Sequence, residues 1–243
     1  MQIFWLKRNL RLQDSEPFFM AMKGYKRLGR VLPLYCDEPS LISKSDVSRQ
    51  HQLFIHETLD ELHDELGANG GQLLEAIGEM TDVLGRIHAF QKITQIWTHR
   101  ETTQQSQFQR DNQVRQWCRD NGVQLIEVAQ NGIARGRQAS VSFPDYFTDS
   151  VQRTLRDPRG VDLSERFAEP PFPSCSRADV PDAHGIDKPL RQKGGRQAAE
   201  KALKSFFTST GIMRYPYSLS SPNTAWEGCS RISTYLAYGV VSD

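Results

Sequence analysis

The residues with the clearest chemical potential lie near the C-terminus, in Cys229-Ser-Arg-Ile-Ser233. Ser221-Pro222 ahead of them predicts a helix start, because a serine oxygen satisfies a free backbone N–H and proline suits the first helical position. Gly228 permits a left-handed break, after which Cys229–Ser233 opens a second helix that Gly239 can end. Such an opening presents free N–H groups, two hydroxyls and one guanidinium, which together suit a phosphate. An ordinary capped helix explains the same residues, and residue types alone favour it.

Histidines and cysteines give weaker signals. His51, His56 and His63 lie in or near one predicted helix without an HExxH pattern, which favours structural roles over metal ligation. His99 follows a predicted strand and is the one histidine placed where α/β sheets bind ligands. Four widely spaced cysteines without a CxxC pair argue against a zinc site or a disulfide scaffold. No metal site is therefore predicted, and no catalytic nucleophile is indicated.

Composition narrows the class of protein. The chain has 243 residues, 38% of them hydrophobic, and a formal net charge of +1, as in an ordinary soluble protein. Any contact with nucleic acid must therefore be a local patch. No apolar run approaches the roughly 20 residues needed to span a bilayer. Lys7 and Arg8 follow the first apolar residues too closely for a signal peptide. We expect a monomer in a reducing, cytoplasmic setting with no membrane partner.

The elements that must position these residues begin with an alternating region, 1–130. Its strand-like runs are Ile3–Leu6, Val31–Cys36, Leu73–Ile77, Ile93–Thr98 and Val123–Val128. Its helical stretches are Ser15–Leu28, Ser48–Leu66, Met80–Phe90 and Phe108–Asn121. This alternation predicts an α/β fold, a Rossmann-like five-stranded parallel sheet with helices on both faces. Asp14-Ser15 is the predicted N-cap of the first helix. The first strand is not followed by GxGxxG, which disfavours the usual mode of dinucleotide binding.

Frequent prolines and charges interrupt the alternation of strands and helices over residues 131–189. We interpret this stretch as an interdomain connector with one short helix near Ser150–Leu155. Residues 190–243 then start an all-α domain. Gly194-Gly195 leads into a helix at Arg196–Phe207, whose inward-facing residues are predicted to be Ala199, Leu203, Phe206 and Phe207. The basic stretch Ile186–Lys204 suits a solvated face better than a contact with DNA phosphates.

Three stretches resemble the DNA photolyase and cryptochrome family. Trp5-Leu-Lys-Arg-Asn-Leu-Arg-Leu-Gln-Asp14 is similar to its N-terminal signature, Trp-Phe-Arg-x-Asp-Leu-Arg-Leu-x-Asp-Asn, with departures at Lys7, Asn9 and Ser15. Tyr217 and the stretch from Cys229 resemble a tyrosine followed by Thr-Ser-Arg-Leu-Ser-Pro-Tyr-Leu. Cys229, Ile232 and Thr234 replace threonine, leucine and proline of that pattern. Thr98-His-Arg-Glu-Thr102, with Arg110-Asp111 after it, is similar to a segment of one bacterial photolyase branch.

The resemblance implies an antenna domain followed by a helical domain that holds FAD. Position by position, it places Tyr217, Cys229, Ser230, Arg231, Ile232 and Ser233 against the FAD phosphates and ribitol. It also implies an antenna chromophore of unknown identity. Folate-binding members carry Asn-Glu where this chain has Ser106-Gln107, so no antenna residue is transferred. Arg8 and Arg11 suit either a ligand contact or support of the interface between the domains.

The activity implied is light-driven repair of pyrimidine dimers in damaged DNA by electron transfer from reduced FAD. A cryptochrome-like photoreceptor without repair, and a plain nucleotide- or chromophore-binding α/β module, remain alternatives. The family's helical domain needs some 200 further residues by domain-size reasoning. We therefore expect these 243 residues to be an N-terminal fragment that by itself neither repairs DNA nor holds FAD firmly.

Overall fold

The computed structural model describes residues 1–129, 162–208 and 211–242, together with residues 142, 144, 145, 148 and 152. Its strands are β1 (Gln2–Trp5), β2 (Val31–Asp37), β3 (Leu74–Ile77), β4 (Gln95–His99) and β5 (Gln124–Val128). They form one sheet in the order β3-β2-β1-β4-β5, and all of its neighbouring pairs are parallel. The predicted Rossmann-like parallel sheet is thus confirmed, with every strand close to its expected position.

Helices cover both faces of the sheet. The helices of this region are α1 (Glu16–Leu28), α2 (Pro39–Ile42), α3 (Arg49–Ala68), α4 (Met80–Phe90) and α5 (Gln105–Asp120). Successive strand side chains point to opposite faces. Accordingly, Phe4 packs in one core with α1 and α3, whereas Ile3 packs in a second core with α4 and α5. Only the four-residue α2 was not predicted from the sequence.

The described part of the connector lies against this sheet and against α3. Ala168 N–H donates to Val31 O at 2.9 Å, Cys175 N–H donates to Glu75 O at 2.8 Å, and Arg49 N–H donates to His184 O at 2.7 Å. The predicted helix near Ser150–Leu155 lies outside the described residues, residue 152 apart. The domain boundaries at 130 and 189 stay predictions.

Four helices follow, α6 (Arg196–Thr208), α7 (Gly211–Ser218), α8 (Ala225–Gly228) and α9 (Ser233–Ala237). In α6, Ala199 is fully buried, but Leu203 and Phe207 are exposed, so their predicted inward orientation is wrong. The spacing of these residues identifies an apolar face without showing what covers it. None of the helices in the described ranges is long and apolar enough to cross a membrane.

Two details of the C-terminal prediction are also wrong. Ser221-Pro222 does not begin a helix, since α8 starts at Ala225 after a turn. The left-handed residue is Arg231, with φ of 56°, rather than Gly228. Gly228 is needed for close packing, because a Cβ atom there would lie 2.1 Å from Ser218 Oγ. Gly239 does take φ of 61° after α9, as predicted.

Candidate functional site

A cleft opens at the carboxyl ends of β1 and β2, beside the point where the sheet order reverses between β1 and β4. In open α/β sheets, ligands bind in this position. The cleft encloses about 110 Å³. Its ring side chains are Trp5, Tyr35, His51 and Tyr238, and its amide side chains are Gln52, Gln104 and Gln107. We call it the switch-point cleft.

A buried ion network forms one side of the switch-point cleft. Lys7 Nζ donates to Asp111 Oδ2 at 2.7 Å, and Arg110 Nε donates to Asp111 Oδ1 at 2.7 Å. Arg110 also donates to Glu38 from the end of β2. Burial of all four side chains means that each charge depends on its partner for stabilisation. The network therefore joins the loop after β1, the end of β2 and α5.

The electrostatics of the network follow from its burial. Burial lowers the pKa of Lys7, although the Asp111 carboxylate opposes this effect. Burial raises the pKa of the Glu38 carboxyl, and Arg110 opposes that effect. For Arg110, burial acts to lower the pKa, but the negative charges of Glu38 and Asp111 outweigh it and the pKa is raised. The paired arrangement thus keeps two cations buried beside the cleft.

A second buried pair includes Asp37, which lines the cleft. His56 Nε2 lies 3.2 Å from Asp37 Oδ2, at the end of β2. This contact explains His56 as a structural residue, in agreement with the role predicted for it. Among the described residues, no group of three or more His, Cys, Asp or Glu side chains is arranged to hold a metal ion.

The arginines of the first loop divide between the two predicted roles. Arg8 lines the cleft and its guanidinium carbon lies 4.8 Å from the centre of the Tyr238 ring. Arg11 donates from Nη1 to Gly239 O at 3.0 Å and from Nη2 to Asp14 O at 3.1 Å. Arg11 therefore supports the contact between the loop and the C-terminal helices, whereas Arg8 reaches the cleft.

His99 is buried at the end of β4 but does not line the cleft. Burial lowers its pKa well below the usual value, and the nearby charges of Arg11 and Lys7 act in the same direction. Neither of its ring nitrogens has a hydrogen bond of full geometry among the described residues, although the backbone of Val128 and Ala129 is close enough to oppose the lowering of its pKa. Ser15 precedes α1 as predicted, but its buried hydroxyl makes no capping hydrogen bond. His99 thus lies at the end of β4, where the sequence predicted it, but it does not contact the switch-point cleft.

The family model for DNA photolyase matches residues 2–171. The chain belongs to the DNA photolyase family. No curated protein matches the chain.

Solved structures of photolyases and cryptochromes share its fold. A cryptochrome from Synechocystis has a TM-score of 0.74 at 18% identity, over 100% of this chain and 53% of its own. A class III photolyase from Agrobacterium tumefaciens has a TM-score of 0.71 at 19% identity, over 99% of this chain and 50% of its own. An archaeal photolyase from Sulfolobus tokodaii, solved with two FAD molecules, has a TM-score of 0.65 at 22% identity, over 99% of this chain and 52% of its own. This photolyase-family chain thus spans about half the length of each.

The structure brings together only some of the residues predicted to bind FAD. Ser230, Arg231 and Ile232 are half-buried between α8 and α9, and Ser233 begins α9 on the exposed side. The hydroxyls of Ser230 and Ser233 form no hydrogen bond within the described ranges, so they are available to a phosphate. Cys229 is half-buried in the same loop.

Arg231 and Tyr217 are placed differently. The guanidinium carbon of Arg231 lies 3.6 Å from the centre of the Trp226 ring, in a cavity that Tyr217 does not line. Tyr217 is 86% exposed on α7. The five-residue α9 is too short to act as an anion site through its backbone alone. The side chains of this loop, rather than a helix opening, are what suit a phosphate.

Three of the six cations in the basic stretch Ile186–Lys204 pair with carboxylates, namely Arg191, Lys193 and Arg196. Arg191 donates to Glu57 at 2.7 Å and to Asp187 at 2.5 Å, and Arg196 pairs with Glu200 at 2.8 Å. The Arg191–Glu57 contact fastens the segment ahead of α6 to α3, whereas the Arg196–Glu200 pair lies within α6.

The sequence did not single out Lys7, Glu38 and the Arg110-Asp111 pair as one network. Arg110-Asp111 did stand out by its family spacing, and Lys7 as a departure from the family arginine. The strand order brings these residues together, with Lys7 and Arg110 beside Trp5.

Proposed function

We propose that this chain forms the N-terminal half of a DNA photolyase that repairs pyrimidine dimers in damaged DNA. The observation that carries the proposal is the family match over residues 2–171. Because the chain spans about half of each compared structure, the activity is proposed for the whole protein. We propose it to be monomeric and cytoplasmic. The reaction is electron transfer from light-excited reduced FAD to the dimer, and the protein positions and tunes the cofactor.

FAD would be held in part by Cys229–Ser233, with Tyr217 as a further contact. The supporting observations are the hydroxyls of Ser230 and Ser233, which form no hydrogen bond among the described residues, and the guanidinium of Arg231 from the same loop, which lies over the Trp226 ring. Arg231 is held in its left-handed conformation by Gln192, whose Nε2 donates to Arg231 O at 2.5 Å. These groups match the donors that recognise phosphate. The thiol of Cys229 is a weaker donor than the threonine hydroxyl usual in the family.

The switch-point cleft would hold an antenna chromophore. Its rings and amides suit a planar heteroaromatic molecule with hydrogen-bonding edges. The identity of the chromophore stays open, because Gln107 offers a neutral amide where folate-binding members carry a carboxylate.

The test uses the full-length protein and a DNA substrate that carries a thymine dimer. We expect light-dependent loss of the dimer, with Arg231→Ala lowering the flavin content at least about tenfold, as for a lost charge-assisted phosphate contact. Arg214→Ala is the matched control, since Arg214 lies exposed on α7 outside the predicted site. Bound flavin without repair would instead indicate a cryptochrome-like photoreceptor. Unchanged flavin content in Arg231→Ala would indicate a simple chromophore-binding module.

A further inference from the structure

The aromatic rings that line the switch-point cleft lie next to cations. Lys7 Nζ is 4.6 Å from the centre of the Trp5 ring, and the Arg110 guanidinium carbon is 4.8 Å from the same ring. Arg8 lies 4.8 Å from the centre of the Tyr238 ring. Trp5 is 1% exposed, so water screens its two cations poorly. Of the cleft's indole and phenol rings, only Tyr35 has no such cation in the described ranges.

The carboxylates of the network hold these cations against Trp5. Asp111 anchors both Lys7 and Arg110, and Glu38 provides a second anchor for Arg110. A cation above a neutral ring is attracted by the electrons of its π face. If the ring loses an electron and becomes positive, the same cation repels it, and burial strengthens that repulsion. Lys7 and Arg110 lie over the ring, so each of them disfavours oxidised Trp5, whereas the negative charges of Asp111 and Glu38 act in the opposite direction.

We propose that Lys7 and Arg110, with Arg8 on Tyr238, protect the walls of the cleft from one-electron oxidation by a light-excited ligand. This inference rests on the proposed function, in that it requires a chromophore in the cleft. An excited flavin-like ring is a strong oxidant. The reaction opposed here moves one electron from the Trp5 indole to that ring, leaving a Trp5 radical cation and a ligand reduced by one electron. Such a transfer would dissipate the excitation before it could be used elsewhere.

The test uses the protein with riboflavin as the probe, after its binding has been measured by fluorescence anisotropy. Lys7→Met removes one cation from Trp5 while keeping side-chain length, and Asp111 keeps Arg110 as a partner. We expect the excited-state lifetime of bound riboflavin to shorten at least about threefold, because the repulsion that opposes indole oxidation is reduced. Transient absorption of an indole radical should appear with it. Adding Trp5→Phe to Lys7→Met should restore the longer lifetime and abolish that radical.

Lys26→Met is the matched control, since Lys26 lies near the Tyr25 ring on α1, outside the cleft. It should leave the lifetime unchanged. The same lifetime in Lys7→Met as in the unmodified protein, with no added indole radical, would overturn the inference.

If riboflavin does not bind, a flavin is excluded as the ligand of this cleft, and oxidation of the unliganded protein by azidyl radicals decides the inference separately. Lys7→Met must then give a higher yield of indole radicals than the unmodified protein, and Trp5→Phe must remove the increase. Equal yields would contradict it.

Discussion

Asp111→Asn should destabilise the fold far more than the loss of an exposed ion pair. The Asp111 carboxylate is 1% exposed and accepts hydrogen bonds from Lys7 and Arg110, both at 2.7 Å. Removing its charge leaves two buried cations with Glu38 and the nearby buried Glu101 as the remaining carboxylates. Breaking a buried pair in this way costs about 3–5 kcal/mol.

The structure also sets an upper limit on this loss. Lys7 can escape the unpaired charge by losing its proton, and burial already lowers its pKa. For a lysine of ordinary pKa, that costs about 1.4 kcal/mol per pH unit, or about 5 kcal/mol at pH 7. We therefore expect a loss of about 3–5 kcal/mol at pH 7, out of a total stability of about 5–15 kcal/mol.

The pH dependence of Asp111→Asn gives a second readout. The unfolded chain keeps Lys7 protonated up to about pH 10.4, whereas the folded variant releases that proton at lower pH. Between these two values the unfolded state binds more protons, so the stability of the variant rises with pH. The deficit relative to the unmodified protein should accordingly be smaller at pH 9 than at pH 7.

Urea unfolding followed by far-UV circular dichroism measures both effects. Glu200→Gln is the control, because it breaks the exposed Arg196–Glu200 pair and should cost about 0.5 kcal/mol or less. A loss from Asp111→Asn that is no larger than that of the control would refute the account of the network. So would a deficit that grows between pH 7 and pH 9.

Two further predictions concern the contact between α3 and residues 191–194, ahead of α6. The pKa of Glu57 is lowered to about 2: burial alone would raise it, but hydrogen bonds from Arg191, Gly194 N–H and Lys193 outweigh that effect. The carboxylate therefore contributes stability above pH 4.5 that is lost as pH falls towards 2, about 1–2 kcal/mol after solvent screening. In urea titrations the advantage of the unmodified protein over Glu57→Gln should shrink from pH 6 to pH 3, and a constant difference would contradict this. Gly194→Ala would place a Cβ atom 2.1 Å from Phe54 O and should lower the free energy of unfolding by about 2 kcal/mol or more. Gly67→Ala, which meets nothing within 4 Å, should be neutral or stabilising, and similar effects of the two would refute the packing argument.

The sequence predicted the α/β region well because its signals there are local. Val31–Cys36 is a continuous apolar run, and β2 occupies it with one added residue. Alternation with amphipathic helices then leaves few sheet topologies, since parallel crossovers are right-handed. Helix boundaries were less certain: α5 begins at Gln105, three residues before the predicted start at Phe108.

The site was less predictable because its contacts are long-range. Lys7 and Asp111 are 104 positions apart, and Glu38 and Arg110 are 72 apart. No periodicity in a single sequence encodes such pairs. Similarly, Gly228 suggested a left-handed turn, but position 228 requires glycine because Ser218 packs closely against it. A glycine in the sequence marks a special backbone position, but it does not show whether a left-handed conformation or close packing requires it.

The segment after α9 helps to build the switch-point cleft, which otherwise lies within the α/β region. Tyr238 lines the switch-point cleft, and its carbonyl accepts from Leu10 N–H at 3.1 Å, next to the Arg11 contact with Gly239 O. The first loop thereby fixes the position of the segment that carries Arg231. A displacement of Tyr238 would open the cleft and move the proposed flavin contacts together. The two proposed sites are therefore structurally coupled through one short stretch of backbone, so variants in the first loop are expected to affect both.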